Sequence, residues 1–136
     1  MSCKKGFTLL EIGVGVFILL LSSAAGLTGA LQLRAKNVLK IQQNLIVGDL
    51  LAAKQRALAA RRDADIIFAG QGYTVQAGTI REVILPRPFT VSALRLGYNP
   101  AGHPRYAGTL YLYRAGRPVA RLTVAVGSGL LKWTNL

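Results

Sequence analysis

Lys4-Lys5-Gly6-Phe7-Thr8-Leu9-Leu10-Glu11, followed by Ile12 to Leu33 without one charged residue, decides the fold of this 136-residue chain. The uncharged run is 22 residues long, enough for a helix to cross a bilayer core about 30 Å thick. Glu11 stands at its mouth. A carboxylate at the edge of hydrocarbon costs roughly 3 kcal/mol when nothing pairs with it, so such a residue calls for a specific partner. Two lysines ahead of an apolar stretch also begin a secretory signal or a signal anchor. The run is longer than a usual signal core, and no plain small-x-small site leads into a polar start. Ser22 to Ala25 and Thr28 to Ala30 are nevertheless small. An uncleaved anchor and a processed segment therefore both remain open on these grounds.

The helical pattern continues past the span. Arg34 to Arg62 contains no proline and one glycine, Gly48. Leu31, Val38, Leu45, Ala52 and Ala59 recur every seven residues, with Leu27 and Ile41 on adjoining rows. Lys36, Lys40, Gln43, Lys54 and Arg61 fall elsewhere on the wheel. This spacing predicts an amphipathic continuation whose apolar stripe packs on a small sheet. A helix from Phe7 to about Arg62 would be roughly 80 Å long.

From Ile66 the period changes. Tyr73–Gln76, Ile80–Leu85 and Thr90–Leu96 are short β-rich runs broken by glycine or proline. Thr109–Arg114 and Arg121–Val126 alternate on either side of Ala115-Gly116, a hairpin signal, with Pro118 near the start of the return strand. Asn99-Pro100-Ala101-Gly102 reads as a turn, and Leu130–Trp133 as a last strand. A helix first and antiparallel strands after it predict an α+β fold. The expected organisation is a membrane-spanning half-helix up to residue 33, an amphipathic half at 34–62 and a β-rich head at 63–136.

Lys4 to Glu11 resembles the leader and mature start of type IV prepilins and pseudopilins: basic residues, glycine, an aromatic, a hydroxyl residue, two leucines and glutamate, all ahead of a span. The resemblance implies a pilin-like fold, with the long N-terminal helix packed on a small antiparallel sheet. It implies in addition a leader at 1–6, so that the span begins at 7 and covers 7–33. It implies a cut by prepilin peptidase between Gly6 and Phe7, N-methylation of Phe7, and a docking role for Glu11 toward the new amine of a neighbouring subunit. It further implies a single-pass protein of the bacterial inner membrane with its head outside the cytoplasm. The partners it implies are other pilin or pseudopilin subunits and the assembly platform with its ATPase. The lysines agree with the positive-inside tendency. Asn99-Pro100-Ala101-Gly102 and Gly108-Thr109-Leu110-Tyr111-Leu112 resemble, more loosely, minor pseudopilins of type II secretion and minor pilins of type IV and competence pili. Many relatives carry a proline at the position matching Thr28; this chain does not.

Little supports catalysis. The one cysteine, Cys3, lies in the expected leader, so a mature chain would carry no disulfide. The one histidine, His103, sits in a Pro/Gly-rich stretch and reads as a surface-loop residue; no metal or cofactor is expected. Asp63 and Asp65 stand where helix gives way to loop and read as turn or capping residues. Gly70-Gln71-Gly72 is too short for a phosphate loop. Charge is the remaining feature. Beyond Leu33 there are 15 Lys and Arg against 4 acids, a net +11. Arg114, Arg117 and Arg121 cluster about the expected hairpin, interleaved with Tyr111 and Tyr113. Such a patch is suited to DNA phosphates, with aromatic rings to stack on bases; a solvated face, or one turned to anionic lipid or cell-wall polymer, is the plainer reading.

Overall fold

A computed structural model describes residues 8–125 and 127–136. Helix α1 runs from Leu9 to Ala60, and eight strands follow: β1 (Ala64–Gly70), β2 (Gly72–Ala77), β3 (Thr79–Ile84), β4 (Phe89–Tyr98), β5 (Pro104–Tyr106), β6 (Gly108–Arg114), β7 (Arg117–Val124) and β8 (Leu131–Asn135). The fold is α+β, as expected. The chain divides into two compact units, one ending at Ile41 and the other Gln42–Leu136.

In the first unit α1 is built from Leu, Ile, Val, Ala and Gly, and it passes through Thr28, whose hydroxyl donates to the Ala25 carbonyl at 2.9 Å. An 18-residue window here has mean hydropathy 2.0 and is wholly exposed. The segment is a candidate membrane anchor by length and composition.

In the second unit one face of α1 is buried: Gln42, Gln43, Ile46, Leu50, Ala53 and Ala57. The spacing of 3 and 4 residues is that of a packed helix face. This corrects the expected stripe. Leu31, Leu45, Leu27 and Ile41 are all more than half exposed. The row that meets the sheet lies one residue on, about 100° round the helix. Ile46 and Leu50 supply bulk there, and Ala53 and Ala57 let the backbone approach closely. Heptad counting selected the more evenly apolar row, whereas packing selected the row combining bulk with small residues. Gln43, expected on the polar side, is buried, and its amide donates to Asn135 Oδ1 at 2.9 Å. The helix ends at Arg61, which has φ of 49°, with Arg62 N–H donating to the Ala57 carbonyl at 3.3 Å. This is a left-handed C-terminal stop made without glycine.

The strands form one antiparallel sheet in the order β3-β2-β1-β4-β6-β7-β8, with β5 beside the far end of β4. Its inner face carries Ile66, Phe68, Tyr73, Val75, Leu96, Leu110, Leu112, Ala120 and Leu122, all buried. The expected strands are present within a few residues. β1 and β5 had no clear signal: β1 begins on Ala64-Asp65, and β5 is three residues long. The hairpin turns on Ala115 and Gly116, both with positive φ (51° and 78°), as a type I′ turn requires. Asn99 Oδ1 accepts from the backbone of Ala101 (3.0 Å) and His103 (2.9 Å), fixing the expected turn. His103 is exposed.

Candidate functional site

Gly6 and Phe7, the expected cleavage and methylation residues, lie outside the described residues. Glu11 lies inside them. Its carboxylate accepts from the backbone N–H of Thr8 (3.2 Å) and from the Thr8 hydroxyl (3.3 Å), and Glu11 N–H approaches Thr8 Oγ1 at 3.4 Å. Thr8-Leu9-Leu10-Glu11 is therefore a capping box, a hydroxyl residue three positions before a glutamate, which satisfies helix N–H groups that otherwise have no partner. The signal is present in the sequence, but weighing Glu11 only as a charge misses it. A glutamate in the first turn also complements the helix dipole. Thr8 and Glu11 are both exposed, and the carboxylate occupies the end of the helix where a neighbour's amine would have to reach it.

The acidic residues of the second unit are mostly spoken for. Asp49, on α1, accepts from Tyr73 Oη at 2.6 Å and pairs with Arg81 of β3. This joins helix and sheet through three side chains. Burial, and then the Asp49 hydrogen bond, raise the Tyr73 pKa well above the ordinary tyrosine value. Burial also raises that of Tyr98. Asp63 pairs with Arg105 at 2.7 Å, and Asp65 pairs with Arg95. The expectation of a turn or cap at Asp65 is corrected: it lies on β1, buried, opposite Gly97. A Cβ on Gly97 would stand 2.1 Å from Asp65 Oδ1, so glycine is what makes room for the carboxylate. Tyr106 is flanked by the Arg95 and Arg105 guanidinium groups, 5.2 and 5.3 Å from its ring centre, within cation–π range.

The basic trio predicted from sequence does not stay together. The register sets Arg121 opposite Tyr111 and Thr134 on the outward face, away from the core residues Leu110 and Leu122. Arg114 and Arg117 face each other at the hairpin tip, where Arg114 also pairs with Phe89. Ala115 N–H donates to the Pro88 carbonyl at 3.0 Å, which brings the loop carrying Arg87 to the same tip. The group the fold assembles is thus Arg87, Arg114 and Arg117. The sequence hid this because Arg87 is 27 residues from Arg114. Among the described residues none of the three is in an ion pair with a carboxylate.

Among the described residues no three His, Cys, Asp or Glu side chains are placed to hold a metal. A shallow cleft beside β2 and β3, about 320 Å³, is lined by Ile67, Ala69, Gly72, Thr74, Glu82 and Ile84. Compared with known proteins, the chain matches no family, no curated protein and no solved structure.

Proposed function

We propose that this chain is a non-enzymatic subunit of a type IV filament, a minor pilin or pseudopilin, which waits in the inner membrane on its apolar helix and is drawn into the filament after prepilin peptidase acts. The observation that carries this reading is the pairing of a wholly exposed apolar helix segment with a glutamate at its first turn, immediately behind Lys4-Lys5-Gly6-Phe7. Cleavage frees a positive amine on Phe7, and the Glu11 of a neighbour receives it. Low dielectric strengthens that pair, but a buried pair adds little net stability; stranding one member costs about 3–5 kcal/mol. Glu11 therefore fixes register between subunits, and the Thr8 contacts hold it satisfied until then. The other subunits, the assembly platform and its ATPase are the partners, and a place at or near the tip suits a minor subunit.

The test is Glu11→Val. Valine suits lipid but cannot receive an amine. Membrane insertion and processing at Phe7 should persist while the variant is missing from sheared filaments. Recovery at the wild-type level contradicts the docking role.

A second reading, favoured by Arg87, Arg114 and Arg117 at one tip with no ion pair among the described residues, is DNA contact during uptake. The full chain in detergent should then bind duplexes without sequence preference, more weakly as salt rises. Replacing the three arginines with glutamine should flatten the salt slope by roughly one unit for each phosphate that is no longer neutralised. An unchanged slope leaves the tip merely solvated, and a plain signal-anchored surface domain is what remains if filament incorporation fails as well.

A further inference from the structure

The sheet has two uncovered edges, β3 and β8. Every neighbouring pair between them is antiparallel, six steps in all, so the two edges run in the same direction. Two copies related by translation therefore present β8 of one alongside and parallel to β3 of the other.

The hydrogen-bond phase of each edge follows from its flanks. Leu85 N–H donates to the Gln71 carbonyl at 2.8 Å. Because antiparallel pairs alternate, the main-chain groups of Ile80, Glu82 and Ile84 point away from β2, toward the open edge. On the other side, Ala125 N–H donates to the Leu130 carbonyl (3.1 Å) and Leu136 N–H to that of Val119 (3.0 Å). That leaves the groups of Leu131, Trp133 and Asn135 open. A parallel ladder sets an outward-bonding residue of one strand opposite an inward-bonding residue of the other. Lys132 opposite Glu82 meets this condition. It also brings Leu130 to Ile80, Trp133 to Val83 and Thr134 to Ile84.

This register matches the side chains as well as the backbone. Glu82 shares its sheet face with Thr74 and Ile67, and Lys132 shares its face with Thr123 and Thr109; both are the face turned from the core. Among the described residues Glu82 is the one acid of the second unit in no ion pair, and Lys132 is the one charged residue of β8. Ile80, Ile84 and Leu130 are 78%, 73% and 64% exposed, an apolar surplus on two edges that the pairing would cover. The symmetric alternative, β3 on β3 centred on Glu82 so that the open groups of Ile80, Glu82 and Ile84 meet, sets Glu82 against Glu82, which like charges oppose.

We propose that heads of this protein join edge to edge, β8 of one copy adding to β3 of the next, with Lys132 and Glu82 setting the register. Such a head-to-tail contact does not close on itself and suits a linear assembly. The second unit carries 12 Lys and Arg against 4 acids, a net +8, which repels another copy. Screening should therefore promote the contact as salt rises, the opposite of DNA binding.

The test uses the full chain with Cys3→Ser, two populations bearing Ile80→Cys and Leu130→Cys being co-expressed in one membrane. Paired residues on adjacent strands lie about 4.8 Å apart, within disulfide range. Mild oxidation should give a mixed dimer in excess of either single-variant dimer. Glu82→Lys in the Ile80→Cys chain should lower its yield about threefold, and Lys132→Glu in the Leu130→Cys chain should restore it. A mixed dimer no more abundant than the single-variant dimers, or one indifferent to both charge reversals, overturns the proposal. Glu11-dependent incorporation into filaments is read separately and can stand if the edge contact fails.

Discussion

Residues 9–41 and 42–60 of α1 are both helical and both rich in leucine and alanine, yet they solve different problems. Upstream, from Ile12 to Leu33, uncharged and mainly apolar side chains cover the whole circumference and are exposed. Downstream, one row is buried and the rest of the surface carries Lys54, Arg56 and other polar groups. The contrast separates two uses of hydrophobicity. An all-round apolar helix suits lipid or other helices, whereas a single buried row is a contact with one particular surface. Glu11 in the upstream stretch and the Asp49 pair in the downstream one are the polar fixings of these two environments.

The largest effect that would sharpen this contrast is in the packed row. Leu50→Ala removes a wholly buried side chain and should destabilise the head by about 2–5 kcal/mol, read by chemical denaturation in detergent. Leu20→Ala in the exposed segment should leave the same transition unmoved. Equal losses in both would erase the distinction between the two regions.

A smaller effect is expected at the polar link. Asp49→Asn keeps the shape but removes the charge that Arg81 and Tyr73 share, at a cost of about 1–3 kcal/mol. Tyr73→Phe should restore little, since Arg81 would still lack its carboxylate. Unchanged stability in Asp49→Asn would mean that the apolar row alone holds helix to sheet.

The smallest effect is alkaline. Tyr73 and Tyr98 have raised pKa values in the folded head, so folding favours their neutral form. Their contribution is fully present below the unfolded value of about 10 and falls away as pH climbs above it. Stability should therefore be level across neutral pH and decline above about pH 10, less steeply in Tyr73→Phe. Identical alkaline slopes in the two proteins would remove the phenol from the account.

Much of the fold was legible because it rests on local chemistry. The uncharged run, the change of period near Ile66, and the turns at Asn99–Gly102 and Ala115-Gly116 each follow from neighbouring residues. What escaped depends on distant partners. Two rows of α1 are apolar, and only the sheet decides which is buried. Asp65 looks like a loop residue until Gly97 and Arg95, some 30 positions on, give it a place in β1. Arg87 joins the hairpin arginines through one hydrogen bond between loops, while Arg121 is sent to the outward face by strand parity. The capping box at Thr8 and Glu11 is local and therefore readable from sequence; attention to the charge of Glu11 conceals its geometry.

The proposed filament subunit is anchored by the apolar first part of α1 and processed just ahead of it. Intact-mass measurement of the chain after co-expression with a prepilin peptidase tests this most directly. The expected product begins at N-methylated Phe7, is retained at reduced yield when Gly6 is replaced by alanine and is abolished when Gly6 is replaced by a bulky residue. A full-length chain alone, or a product cut near Ala30, contradicts it.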